Sequence, residues 1–165
     1  MTDVAPSQPA LVHPVPAQRS MVVIPRVHDG SGARTRYGLV QAELTPGAQM
    51  LIFPQSPVVD PEQLRAEAAL LLAEEFGQGM SAAVIAPLGV LYADQRKEER
   101  IDVLFAVARR TDAEYGQALE PAGIPGMEWA DEQHLLQHLC SGRIMDTTTT
   151  AAGLALLQVC GEFTR

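Results

Sequence analysis

The chain has 165 residues, which suits one domain and leaves little room for two. Apolar residues make up 47% of it and charged residues 19%, so a hydrophobic core can form and disorder throughout the chain is excluded. The formal net charge of −8 disfavours nonspecific binding to nucleic acid, because an acidic surface repels the phosphate backbone.

The N-terminal part predicts an extended arm followed by three strands. Residues 1–19 carry several prolines among small side chains, which is typical of an arm without regular structure. Residues 20–165 are predicted to form the single domain. Runs of β-branched and other apolar residues predict strands at 20–27, 37–44 and 50–53, with a glycine-rich turn at 29–32.

A helix is predicted at residues 60–76. Asp60 is a suitable N-cap because its carboxylate accepts backbone N–H groups, and Pro61 fits the first helical position. Gly77 is placed to end the helix. The spacing of apolar side chains predicts a core-facing side formed by Ala69, Leu72 and Phe76.

The second half of the chain continues with strands and helices. Strands are predicted at 83–92, 101–108 and 128–129, loops at 93–99 and 111–126, and helices at 131–139 and 148–161. This order predicts an α/β fold in which helices pack on the faces of a mixed sheet.

The helix at 131–139 carries a histidine pair. His134 and His138 are spaced by one helical turn, a spacing that can bind zinc. Because no third ligand is apparent near them in the sequence, we predict that both side chains face solvent.

The segment from Ser56 to Gly77 resembles the Nudix box, G-x5-E-x7-R-E-U-x-E-E-x-G-U, where U is an apolar residue. The positions that match are Glu62, Leu72, Glu74, Glu75 and Gly77. The positions that depart from it are Ser56 for the first glycine, Leu70 and Leu71 for the Arg-Glu pair, and Gln78 for the last apolar residue.

Segments outside the box extend the resemblance to the ADP-ribose pyrophosphatase branch of the Nudix superfamily. Residues 53–56 are similar to the Leu-Pro-Ala-Gly that precedes the box, and residues 88–106 resemble a strand, acidic loop and strand of those enzymes. Residues 141–146 look like their C-terminal Ser-Gly-x-Ile-x-Asp. The resemblance implies a Nudix-type α/β/α sandwich, Mg²⁺ (or Mn²⁺) as cofactor, and a substrate in which a nucleoside diphosphate is linked to another group.

The same resemblance implies a set of site residues. Attack on a diphosphate needs a divalent cation, which is held by carboxylates on one helix face at positions 71, 74 and 75 of this chain. Leu71 cannot bind metal, so the expected metal ligands are Glu74, Glu75 and Glu62, and the expected catalytic residues are Glu75 and Glu99. Loss of a ligand or base typically lowers the rate by about 10²–10⁴. Glu99 is equally open to interpretation as part of a solvated charged loop.

Two further positions concern the metal ligands and the substrate contacts. Glu67 lies one turn before Leu71, but about 12 Å along the axis from Glu75, which is too far to share one ion directly. Gln41 matches the glutamine of the Arg-Gln-x-Arg segment of ADP-ribose pyrophosphatases, and it is the expected substrate-binding residue. The arginines of that segment are missing, so specificity for ADP-ribose does not follow.

Location and assembly are predicted from absent signals. Cys140 and Cys160 form no disulfide framework, no apolar run approaches the length of a membrane span, and the N-terminus lacks a secretory signal pattern. We therefore expect a cytoplasmic protein without a membrane partner. The proline-rich arm is similar to N-terminal segments that cross to a second subunit in some dimeric relatives, which implies a homodimer.

Three functions remain open at this point. The first is a Nudix-type pyrophosphohydrolase whose activity is weak or altered. The second is a catalytically inactive Nudix-fold module that binds a nucleotide-like ligand or a protein partner. The third is a structural subunit of a larger assembly.

Overall fold

The described strands form one mixed sheet, in a computed structural model that describes residues 18–80, 83–93, 99–119 and 126–163. Most of the predicted arm therefore lies outside the described residues. The strands are β1 (Gln18–His28), β2 (Thr35–Thr45), β3 (Ala48–Ile52), β4 (Gln55–Pro57), β5 (Val84–Tyr92), β6 (Glu99–Arg109) and β7 (Met127–Ala130). Their order is β3-β2-β1-β6-β5, while β4 pairs with β1 and β7 with β2.

The two central strands, β1 and β6, run parallel and in continuous register. Pairing extends from Gln18 opposite Glu99 to His28 opposite Arg109 without a recorded bulge. Met21 to Ile24 are all buried, as expected for a strand that is covered on both faces. Because the register is regular, alternate residues of both strands share a face of the sheet.

Helices cover both faces of the sheet and divide the core in two. The helices are α1 (Leu64–Phe76), α2 (Asp112–Leu119), α3 (Glu132–Ser141) and α4 (Thr147–Phe163). One half of the core joins Leu72 of α1 and Tyr115 of α2 to Leu104 of the sheet. The other half joins Leu135 of α3 and Leu156 of α4 to the opposite face. The predicted α/β/α layering around a mixed sheet is confirmed.

The predicted helix at 60–76 begins as a turn of 3₁₀ helix, Pro61–Gln63, and continues as α1. The Asp60 carboxylate accepts the backbone N–H of Glu62 at 2.9 Å, which confirms its capping role. The predicted core face was wrong by one position, because the buried residues are Ala68, Leu72 and Phe76. Residues spaced by four form a ridge along a helix, and this ridge packs on the sheet, so Ala69 is left half-buried.

The C-terminal end of α1 packs on a glycine of β2. A Cβ atom added at Gly38 would lie 2.6 Å from the Phe76 ring, so no side chain is accommodated there without movement. Phe76 also contacts Trp129 of β7, with ring centroids 5.2 Å apart. This packing sets how α1 crosses the sheet, from β5 and β6 at its start to β2 and β7 at its end.

A helix replaces part of the loop predicted at 111–126. The backbone N–H of Thr111 donates to the Glu114 carboxylate at 3.0 Å, and its hydroxyl donates to the same carboxylate at 2.7 Å. The Glu114 N–H donates back to the hydroxyl at 3.4 Å. Such reciprocal bonds form a capping box, and the Thr-x-x-Glu spacing was the sequence signal for α2 that the loop prediction overlooked.

The histidine pair of α3 does not face solvent as a pair. His134 is exposed, but the His138 side chain is only 9% exposed and its Nε2 pairs with the Glu128 carboxylate of β7. Leu135 and His138 both face the sheet because they are three residues apart on α3. None of the described helices is long and apolar enough to span a lipid bilayer.

Candidate functional site

A cavity of about 240 Å³ lies beside the outward face of α1, at the edge where α1 meets β1 and β4. We call it the α1 cavity. It is lined by Met21, Ser56, Pro57, Val59, Glu67, Leu70, Leu71 and Glu74. Five of these side chains are apolar, so the cavity is a largely apolar surface with two carboxylates on its helical wall.

Leu70 and Leu71 form the apolar part of that wall. Leu71 is half-buried and packs against the core on the α1 face of the sheet. Leu70 is 66% exposed. The positions where the sequence resemblance expects arginine and glutamate thus present hydrocarbon to the cavity.

Glu67 organises the segment that leads into α1. Its two carboxylate oxygens accept the backbone N–H groups of Val59 at 3.0 Å and Asp60 at 2.7 Å. Both bonds are charge-assisted and close the loop over the first turns of the helix. This role was missed at the sequence level, where Glu67 was considered only as a substitute metal ligand.

The predicted metal ligands are spread along α1. Glu74 is exposed and lines the α1 cavity. Glu75 is half-buried and does not line it. Glu62 lines a different cavity, of about 570 Å³, between the start of α1 and residues Pro87 and Leu104 of the sheet. At 1.5 Å per residue, Glu62 lies roughly 18 Å from Glu74 along the axis, so the two carboxylates cannot share one ion.

Glu99 and Gln41 lie on the sheet face opposite α1. Strand alternation places Glu99 on the side of Ile101, which belongs to the core beneath α3 and α4. Gln41 pairs with Leu51 of that same core, and it lines a small cavity of about 220 Å³ with Arg143. The structure therefore does not bring these two residues together with Glu74. Their catalytic and substrate-binding roles stay predictions.

A cluster of ionic residues lies near the N-terminal ends of β1 and β6, on the α1 face of the sheet. The Asp102 carboxylate is buried and accepts the Arg19 Nε–H at 2.6 Å and the Arg100 Nη2–H at 2.8 Å. Burial raises the pKa of the Asp102 carboxyl, but the hydrogen bonds from both guanidinium groups outweigh burial and bring it below the ordinary value of 3.8. The cluster carries two positive charges and one negative charge.

The pairing of the strands places this cluster beside the α1 cavity. Met21, which lines the cavity, is the direct partner of Asp102, and Arg19 is the direct partner of Arg100. All four residues share the α1 face of the sheet by strand alternation. The cluster was missed at the sequence level, although Asp102 within the apolar run of 101–108 was a signal, because a charge inside a buried strand needs a partner.

Solved structures with the same arrangement of sheet and helices include proteins of low sequence identity. A mutT/nudix family protein from Listeria innocua matches with a TM-score of 0.61 at 14% identity, covering 92% of this chain and 99% of that chain. An ADP compounds hydrolase matches with a TM-score of 0.59 at 14% identity, covering 88% and 74%. The chain has the Nudix fold. A chain from the complex between the C-terminal domain of mouse MUTYH and human PCNA matches as well, with a TM-score of 0.58 at 15% identity, covering 87% and 90%.

Comparison of the sequence alone finds no match. No protein-family model matches the chain, and neither does any curated protein. The Nudix fold predicted from the box-like segment and its flanks is nevertheless confirmed, because the matching structures share the layered architecture over most of the chain. At identities of 14–15%, this likeness concerns the fold alone.

The residues of the α1 cavity do not fit the Mg²⁺ centre that the Nudix resemblance implies. Mg²⁺ takes oxygen ligands in near-octahedral geometry, usually with carboxylates among them. Within the described part of the chain, no group of three or more His, Cys, Asp or Glu side chains is placed to hold a metal ion. Of the two carboxylates in the cavity, Glu67 is engaged by backbone N–H groups, and Leu71 supplies no ligand.

Proposed function

We propose that this Nudix-fold protein binds a small anionic ligand of the nucleoside diphosphate class and does not appreciably hydrolyse it. The observation that carries the proposal is Leu71, which is half-buried against the core where the box pattern expects a carboxylate. A leucine held in this way neither binds a cation nor accepts a proton. The protein is then a binding module, which was the second of the functions left open by the sequence.

The chemistry of diphosphate hydrolysis explains why Leu71 matters. The phosphorus atom under attack is shielded by negatively charged oxygens, and a divalent cation normally offsets that charge and orients the attacking water. With fewer carboxylates than the box pattern requires, cation binding and water activation both weaken. We expect a rate about 10²–10⁴ below that of an enzyme with the intact set.

Binding does not require the missing carboxylate. The cavities of about 240 and 570 Å³ on the two sides of α1 offer concave surface on one face of the sheet. One solved structure with this fold is an ADP compounds hydrolase, which supports a ligand with a nucleoside diphosphate part. We further propose that the protein is cytoplasmic and that the N-terminal arm contributes to a homodimer.

A weak Mg²⁺- or Mn²⁺-dependent pyrophosphohydrolase is the second candidate function. It is favoured by Glu74, which is exposed and lines the α1 cavity, so that water can complete the coordination of a cation that it binds. In this alternative, Glu75 joins Glu74 at the metal ion and acts in catalysis. The predicted roles of Glu62 as a metal ligand, Glu99 as a catalytic residue and Gln41 as a substrate-binding residue require a different position of the ligand, because these residues lie away from Glu74.

Release of AMP from ADP-ribose distinguishes the two candidates. The assay is run with Mg²⁺ and with Mn²⁺, and binding of ADP-ribose is measured in parallel by calorimetry. We expect binding with undetectable release of AMP. Slow release that requires Mg²⁺ or Mn²⁺ would overturn the proposal and favour the weak hydrolase, and turnover near 10 per second, which is about the median for enzymes, would contradict both candidates. Absence of both binding and turnover would overturn both candidates.

A further inference from the structure

Asp102 holds the guanidinium groups of Arg19 and Arg100, but it accepts hydrogen bonds from only some of their N–H groups. Arg19 contacts the carboxylate through Nε, and Arg100 contacts one oxygen through Nε and Nη2 at 3.3 and 2.8 Å. Within the described residues, no hydrogen bond or ion pair involves the two terminal nitrogens of Arg19 or the Nη1 of Arg100. Several N–H donors are therefore left to bind another group.

The surroundings leave these donors accessible on the α1 face. The side chains of Arg19 and Arg100 are 26% and 34% exposed, whereas the Asp102 side chain beneath them is 7% exposed. The arginines thus lie over the carboxylate and present their outer edges to solvent. None of the three residues lines the α1 cavity, but Met21, which does, is the strand partner of Asp102 and lies two residues after Arg19 on the same face.

The charge balance of the cluster favours an anion. Two guanidinium groups and one carboxylate sum to one positive charge, in a chain whose formal net charge is −8. Guanidinium groups match the geometry of phosphate oxygens and form charge-assisted hydrogen bonds with them. A buried carboxylate that holds both groups in place also lowers the entropy lost when a ligand binds.

We propose that Arg19 and Arg100, held by Asp102, bind the phosphate groups of the ligand and supply the positive charge that the Nudix resemblance assigns to a metal ion. This inference rests on the proposed function, and it adds the recognition site. Two consequences follow. Binding of a nucleoside diphosphate does not need a divalent cation, and the phosphates lie against the sheet, next to β1 and β6, rather than against Glu74.

Calorimetric binding of ADP in the presence of excess EDTA tests this site. We expect the wild type to bind ADP and inorganic pyrophosphate without metal, and to bind adenosine much more weakly. Arg19→Gln and Arg100→Gln should each weaken ADP binding by about 10- to 100-fold, the effect of losing a charge-assisted hydrogen bond. Arg110→Gln is the matched control, because it removes the same charge at the opposite end of β6, and it should leave the affinity unchanged.

Folding of the variants is checked by circular dichroism, because an unpaired Asp102 destabilises the sheet. If Arg100→Gln does not fold, Arg100→Lys takes its place in the test. It keeps a positive charge beside Asp102 but loses the planar set of donors, so it should fold and still bind ADP more weakly than the wild type.

The outcomes separate this inference from the proposed function. ADP binding that requires Mg²⁺, or that is unchanged in Arg19→Gln, Arg100→Gln and Arg100→Lys, would overturn the phosphate site while leaving the proposed function intact. Adenosine binding as tight as that of ADP would also overturn it. Absence of any binding of ADP, pyrophosphate and ADP-ribose would overturn the proposed function together with the inference.

Discussion

Leu71 is the residue at which the departure from the box pattern has a structural consequence. It contributes apolar surface to the core on the α1 face and to the α1 cavity at the same time. Leu70 beside it is largely exposed, so the two leucines differ in what a substitution would cost. A charge at position 70 can be solvated, while a charge at position 71 is placed partly against hydrocarbon.

Restoring the box at these positions should create a response to metal. The double variant Leu70→Arg with Leu71→Glu gains a carboxylate at i, i+3 and i+4 spacing with Glu74 and Glu75. Without metal it should be less stable by about 1–2 kcal/mol, because Leu71 loses its apolar burial. Millimolar Mg²⁺ or Mn²⁺ should then raise its melting temperature by about 2–4 °C for each kcal/mol of binding free energy.

The wild type under the same buffer is the control for the metal response. A thermal-shift experiment that gives equal responses in the two proteins would mean that position 71 does not reach a metal site. The alignment of residues 56–77 with the box would then be wrong, even though the Nudix fold stands on the structural matches.

Asp102 provides a second prediction at the scale of a single residue. Asp102→Asn removes the charge that both arginines share, and it should lower the free energy of unfolding by about 2 kcal/mol near neutral pH. The folded state lowers the pKa of this carboxyl below 3.8, so its contribution is complete above that value and is lost as the pH falls through the lowered pKa.

Denaturant unfolding at several pH values measures that dependence. The difference between wild type and Asp102→Asn should be constant at neutral and mildly acidic pH and should shrink at a pH well below 3.8. A difference that shrinks already near pH 6, where histidines titrate, would assign the stabilisation to another group.

At the scale of the element, α1 is held in place at both ends by contacts with other parts of the chain. The helix starts after a 3₁₀ turn, and Glu67 connects it to the preceding loop through two backbone N–H groups. Phe76 anchors the other end on Gly38. The position of the α1 cavity relative to the sheet is set by these two attachments, because α1 crosses several strands between them.

Removing the Glu67 carboxylate should loosen the start of α1. Glu67→Ala removes two charge-assisted hydrogen bonds to backbone N–H groups, so the free energy of unfolding should fall by about 1–3 kcal/mol. Glu74→Ala is the matched control on the same helix, because Glu74 is exposed and should cost little. Urea unfolding of both variants is the measurement. Equal losses in the two variants would contradict the loop-closing role of Glu67.

At the scale of the whole molecule, charge is unevenly distributed. The chain as a whole is acidic, yet the cluster of Arg19, Arg100 and Asp102 on the α1 face has an excess of guanidinium. The overall charge disfavours polyanions such as nucleic acid, whereas a small anion can still reach a local basic site. The same composition thus disfavours nucleic acid while it allows the proposed small anionic ligand.

The sequence by itself determined most of the strands and helices, the capping by Asp60 of the 3₁₀ turn that leads into α1, and the Nudix fold. These features depend on local patterns, namely apolar periodicity, capping residues and a motif on one helix with its flanks. The capping box of Thr111 and Glu114 is equally local. Its Thr-x-x-Glu spacing is visible in the sequence and predicts the start of α2, so the loop prediction at 111–126 was avoidable.

Only the tertiary structure decided which functional residues meet. Arg19 and Asp102 are separated by 83 positions in the chain, and they come together because β1 and β6 pair in parallel with one particular register. The same register directs Glu99 away from α1, since a shift of one residue would reverse the face of every side chain. Strand register arises from the packing of both sheet faces at once, and no local pattern in the sequence encodes it.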